Sequence, residues 1–181
     1  MSILFVYPVS SPELPNKVLT HIDDIASTLA EQGVHFERLP VATPIRPGTD
    51  AEQVLEACRT QLEPLMSRLG VVASEVISLD PSHPQRVEHC AAFLRAQQQN
   101  AHEVRFFLGG RGLLSLHIGD YVYAVLCERN DVISIPAGTA HWFDLGEEPR
   151  CVAIRLFDKA EGRVSTFVEE DLAGSFPGLD D

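Results

Sequence analysis

From Glu103 onward the chain is a succession of short β-rich runs broken by turn residues, and no other feature constrains its fold as tightly. The runs cover residues 104–108, 113–118, 121–127, 132–135, 152–157 and 164–168. Between them stand Gly109, Gly110, Gly112, Gly119, Asp120, Asn130, Asp131, Pro136, Gly138, Gly146 and Gly162, residues whose backbones reverse the chain at low cost. Turns this closely spaced leave no room for crossover helices, so the pattern predicts an antiparallel sandwich or barrel.

The first half reads differently. Residues 16–33 have helical periodicity, with Ile22, Ile25, Ala26 and Leu29 on one face and Gly33 suited to the left-handed position that closes a helix. A strand is expected over 34–39. After Pro44, Pro47 and Gly48, Thr49 or Asp50 is placed to cap a second helix carrying Val54, Cys58, Leu62, Leu65, Met66 and Leu69 up to Gly70, with Pro64 expected to kink it. A strand over 76–79 and a short helix over 85–94 follow. Of the 181 residues 45% are hydrophobic, enough for one substantial core. The expectation is a single domain over 1–181: a helix-rich part (1–95), a barrel core (96–170) and a C-terminal tail (171–181).

Charge narrows the partners. With 26 acidic against 14 basic residues, the formal net charge of −12 repels phosphate backbones and anionic lipid. Nucleic acid and membrane surfaces are therefore not expected partners. The first residues lack the basic flank and apolar stretch of a secretory signal, which points to a cytoplasmic protein. Cys58, Cys90, Cys127 and Cys151 show no metal-binding spacing and read as small apolar residues.

Two segments are specific in residue order. One is Gln97-Gln98-Gln99-Asn100-Ala101-His102-Glu103-Val104-Arg105-Phe106-Phe107-Leu108-Gly109-Gly110, a Glu followed seven residues later by Gly. The other is Pro136-Ala137-Gly138-Thr139-Ala140-His141-Trp142-Phe143-Asp144, a proline turn leading to a histidine. Strand alternation places Glu103, Arg105 and Phe107 on one face, taken as the interior, and His102, Val104 and Phe106 on the other. His102 therefore does not join Glu103 at one point.

This pair of segments resembles the cupin signatures. Within that superfamily Glu103–Phe107, Leu116–Asp120, Val125–Glu128, Asn130-Asp131 and His141–Asp144 resemble the acireductone dioxygenases, and so do the Phe93-Leu94 lead-in and Ala153-Ile154-Arg155. The resemblance implies a mainly β cupin double-stranded β-helix barrel of the jelly-roll type, with packed N-terminal helices. It implies the methionine-salvage reaction, oxidative cleavage of 1,2-dihydroxy-5-(methylthio)pent-1-en-3-one, at an Fe2+ or Ni2+ centre held by three imidazoles and a carboxylate. Arg105 then stands where the family's arginine favours the doubly deprotonated substrate, and Phe93 and Phe143 where its substrate pocket is lined.

The chain departs from the family where the metal is held. Glu103 and His141 match ligand positions, whereas Gln97 and Gln99 stand where the family has histidines. An amide oxygen is a far weaker donor to iron or nickel than an imidazole nitrogen. Three readings stay open: a dioxygenase using Gln97, Gln99, Glu103 and His141; a diverged paralogue with weak or no iron or nickel binding that takes a small anionic ligand or performs different chemistry; and a purely structural cupin. For Arg105, anion binding and a buried ion pair with Glu103 weigh equally.

Overall fold

A computed structural model describes residues 1–168 and 172–181; the boundary expected at 170–171 between barrel and tail lies outside them. In chain order the elements are β1 (Ile3–Pro8), β2 (Lys17–Leu19), α1 (Ile22–Ala30), β3 (Phe36–Arg38), α2 (Ala51–Leu69), β4 (Ala73–Leu79), α3 (Arg86–Leu94), β5 (Gln97–Gln99), β6 (Glu103–Ile118), β7 (Tyr121–Glu128), β8 (Asp131–Ile135), β9 (Ala140–Asp144), β10 (Cys151–Phe157) and β11 (Ser165–Phe167). A 3-10 turn over Ala173–Ser175 follows.

The organising strand is β6, which belongs to both layers. Its first part pairs with β8 and β10, while Arg111–Ile118 pairs with β7 and Leu113–His117 with β9. One layer therefore runs β11-β5-β9-β6-β7-β1-β2, and the other holds β4, β10, β6, β8 and β3. All of these pairings are antiparallel, as the turn spacing predicts. The two strands expected over 104–108 and 113–118 are thus one bent strand. The glycines that read as a turn supply the bend instead: Gly110 has φ +69, and a Cβ there would lie 1.9 Å from the Arg150 carbonyl oxygen.

Alternation along the strands sorts the core. Phe107, Leu114, Leu116, Cys127, Ile133, Ile135, Phe143, Cys151 and Ala153 fill the space between the layers, closed on one side by Ile25 and Leu29 of α1. The opposite parity (Val104, Phe106, Leu108, Val132, Val152, Ile154 and Leu156) packs beneath Val54, Cys58, Leu62 and Leu65 of α2. That helix runs through Pro64 and ends on left-handed Gly70; Asp50 takes its N-cap position without a capping side-chain hydrogen bond. All four cysteines are free thiols.

The helix expected over 16–33 is overturned in its first part. Lys17–Leu19 instead pairs with Leu4–Val6 of β1, a strand missed in the sequence, because a neighbouring strand supplies hydrogen bonds that outweigh the weak local helical preference. The helix proper begins at Ile22, with Asp23 and Asp24 in its first turn where the helix dipole favours them. No helix among the described residues is long and apolar enough to cross a membrane.

Candidate active site

The two signature segments meet inside the sandwich. Gln97 of β5 lies opposite His141 of β9, and His141 lies opposite Leu116 of β6. Glu103 and Arg105 sit two residues apart at the start of β6, so both point inward, and both are fully buried. The alternation that predicted this holds, and His102 is excluded from the interior with its amide bound to Asp158 Oδ1 at 3.0 Å.

Glu103 is the hub. Arg105 Nε donates to its Oε2. Gln99 Nε2 donates to Oε1 at 2.6 Å. Arg155, directly across from Arg105 on β10, donates from Nε to Oε2 at 3.0 Å and from Nη2 to Oε1 at 3.1 Å. Two arginines facing each other across adjacent strands repel. The carboxylate between them offsets that repulsion, and both of its oxygens are engaged. Burial by itself would raise the Glu103 pKa, but the Arg105 and Arg155 cations prevail and hold it well below the usual carboxylate range.

His141 ends the proline turn as the sequence expects. Its Nδ1 donates to the Thr139 carbonyl at 2.9 Å, which leaves Nε2 as the bare acceptor of a neutral ring. Burial and the neighbouring Arg105 push its pKa down to about 4. His141 Nε2 and Arg105 Nη1 are both buried without a hydrogen-bond partner among the described residues. Gln97 is drawn elsewhere: its Oε1 accepts from Ser165 Oγ of β11 at 2.7 Å.

The aromatic residues close the interior. Phe143 lies 5.0 Å beneath the Arg105 guanidinium and 6.0 Å from Phe107. Phe93, half-buried on α3, meets Phe143 edge-on at 5.9 Å. Gly112 permits this, since a Cβ there would come within 2.4 Å of the Phe143 ring. The sequence residues Gln97, Gln99, Glu103, Arg105, Phe93, Phe143 and His141 thus gather in one region. Two partners were missed, Arg155 and Ser165. Arg155 had a signal: in the run Cys151–Phe157 its parity is that of Ala153, on the interior face.

Among the described residues no three His, Cys, Asp or Glu side chains are grouped to hold a metal ion. The residues for which the resemblance implies a ligand role, Gln97, Gln99, Glu103 and His141, supply one free nitrogen, on His141, and a carboxylate already bound by guanidinium and amide. This set does not fit a first-row transition metal, for which imidazole and free carboxylate are the suitable donors.

An antiparallel two-layer β structure with a Pro136–His141 turn facing a Glu103 strand defines a cupin. The ARD/ARD' family model matches residues 9–165. Proteins named acireductone dioxygenase from Pseudomonas syringae pv. tomato and Pseudomonas aeruginosa are 60% and 52% identical to this chain over 181 residues, the whole of both chains in each case. The solved acireductone dioxygenase from Bacillus anthracis, which has a cadmium ion in its active center, superposes with a TM-score of 0.76 at 26% identity, covering 90% of this chain and 95% of that one. The chain belongs to the acireductone dioxygenase family. It is an acireductone dioxygenase-like cupin, in a family that uses a metal ion.

Proposed function

We propose that this chain is a cytoplasmic protein that takes a small anionic molecule of the enediolate kind at Arg105, between Phe93 and Phe143, and that it holds Fe2+ or Ni2+ weakly or not at all. The observation that carries this reading is the state of Glu103. Its two oxygens are shared among Gln99, Arg105 and Arg155. A divalent cation there would have to displace guanidinium groups from the carboxylate while gaining only one imidazole. Fixed positive charge instead favours an ionised enediol over its neutral form, and the Nη1 of Arg105 has no other acceptor.

A second reading, metal-dependent dioxygenation with Gln97, Gln99, Glu103 and His141 as ligands, is favoured by the full-length identity to relatives bearing that name. The two readings separate on one variant. Restoring both imidazoles in Gln97→His/Gln99→His raises iron or nickel affinity by orders of magnitude if the glutamines are what weakens the site, measured by competition with a chelator. Tight iron or nickel binding by the parent chain, equal to that of the double variant, would contradict the proposal; equally weak binding would show that Gln97 and Gln99 do not stand at ligand positions.

A further inference from the structure

The interior is closed. Gln99, Glu103, Arg105, His141 and Phe143 are between 0 and 7% exposed, so a molecule reaches the Arg105 guanidinium only when some element moves aside. Two elements lie on the rim, β11 and α3. β11 is tied by polar groups: Ser165 to Gln97, the Asn100 side chain to both Gly162 and Val164, and the preceding Arg163 to Glu75.

α3 has no such ties. None of its residues is fully buried, whereas Ile25 and Leu29 of α1 and Val54, Cys58, Leu62 and Leu65 of α2 are. Among the described residues its side chains make no hydrogen bond or ion pair, and the backbone bonds at its ends are local, from Arg86 N to the His83 carbonyl and from Arg95 N to the Ala92 carbonyl. Its hold on the molecule is apolar. Cys90 and Phe93, both half-buried, rest against the interior cluster, with Phe93 edge-on to Phe143. Val87 and Leu94 stay 71% and 40% exposed, so docking leaves much of the helix's apolar surface in water. Segments held by so few buried contacts open at the lowest free energy.

Both flanks of α3 are anchored. Before it, Asp80 Oδ1 accepts from Ser82 N at 2.9 Å and from Ser82 Oγ at 2.6 Å, closing a turn. After it, Arg95 stacks over the Phe167 ring at 3.8 Å. A cleft of about 410 Å3, lined by residues 48–51 at the start of α2 and by His89 and Phe93, gives the helix space to move into.

We propose that α3 is a lid, which swings off the interior between the Asp80 turn and Arg95, with Phe93 as its latch on Phe143, and whose opening admits the occupant of the site. The proposal rests on the reading above in one respect, that a small molecule is taken inside. Which molecule it is, and whether a metal is held, do not enter.

Two measurements on the full chain test the lid. In hydrogen exchange followed by mass spectrometry, the amides of residues 87–94 are expected to exchange at least about 100-fold faster than those of residues 54–65 in α2, at a rate that low urea leaves unchanged, as local opening does. Labelling with methyl methanethiosulfonate reads access to the interior, because Cys127 and Cys151 belong to the cluster that contains Phe143 while Cys58 lies under α2. Cys127 and Cys151 are expected to react before Cys58, and Phe93→Ala to speed them about tenfold with Cys58 unchanged. A melting curve establishes that Phe93→Ala folds; if it does not, exchange and labelling of the parent chain decide. Exchange of α3 no faster than that of α2, reaction of all three thiols together at the rate of global unfolding, or no effect of Phe93→Ala in the folded variant overturns the lid. Neither measurement involves an occupant, so the lid and the Arg105 reading fail separately.

Discussion

Glu103 is stabilised by what surrounds it and is needed there in return. Two guanidinium groups face each other inside the sandwich, and among the described residues their only shared counter-ion is this carboxylate. Replacing one partner of a buried ionic cluster leaves an uncompensated charge, so Glu103→Gln should lower the unfolding free energy by about 3–5 kcal/mol in a urea titration. An unchanged midpoint would show that Arg155 can turn to solvent without penalty. His141 makes a prediction in pH. Its folded pKa of about 4 lies below the roughly 6.5 of an unfolded histidine. Between those values the unfolded chain holds a proton that the folded chain does not, so stability rises with pH and is lost as pH falls from 6.5 toward 4. For chelator-treated protein the loss is about 3 kcal/mol, and His141→Gln should remove it.

At the scale of elements, the bend in β6 lets one strand serve both layers and brings Glu103 to the same interior as Phe143. At Gly112 the Phe143 ring occupies the space a side chain would need, since a Cβ there would lie 2.4 Å from it. Gly112→Ala should therefore cost about 1–3 kcal/mol through overpacking, read as a lowered melting temperature, and a neutral result would mean that the ring has room to move. The same elements show what was legible in the sequence. Strand parity placed Glu103, Arg105 and Phe107 on one interior face because period-2 alternation is local and strict. His141 was located by the resemblance of its proline turn to the cupin signature. β1, β2 and β5 were not legible: β1 and β5 are fixed by β7 and β11, far along the chain, β2 is fixed only by β1, and the run Gln97–Gln99 carries no apolar alternation of its own. Arg155 was legible in parity but not in partner, since only the fold brings β10 beside β6.

At the scale of the whole molecule, the chain keeps the architecture of its family, and the proposal places different donors at the centre. The full-length similarity to acireductone dioxygenases extends through sheets, helices and turns. On the proposed reading, Gln97 and Gln99 stand where the resemblance implies imidazoles, and the Glu103 carboxylate is paired with Arg105 and Arg155. These changes are consistent with one another, since a buried carboxylate without a metal needs another source of positive charge. The direct measurement is elemental analysis of the protein purified without chelator after expression with iron and nickel supplied. The account predicts far less than one metal ion per chain; one iron or nickel per chain, lost when His141 is replaced, would contradict it.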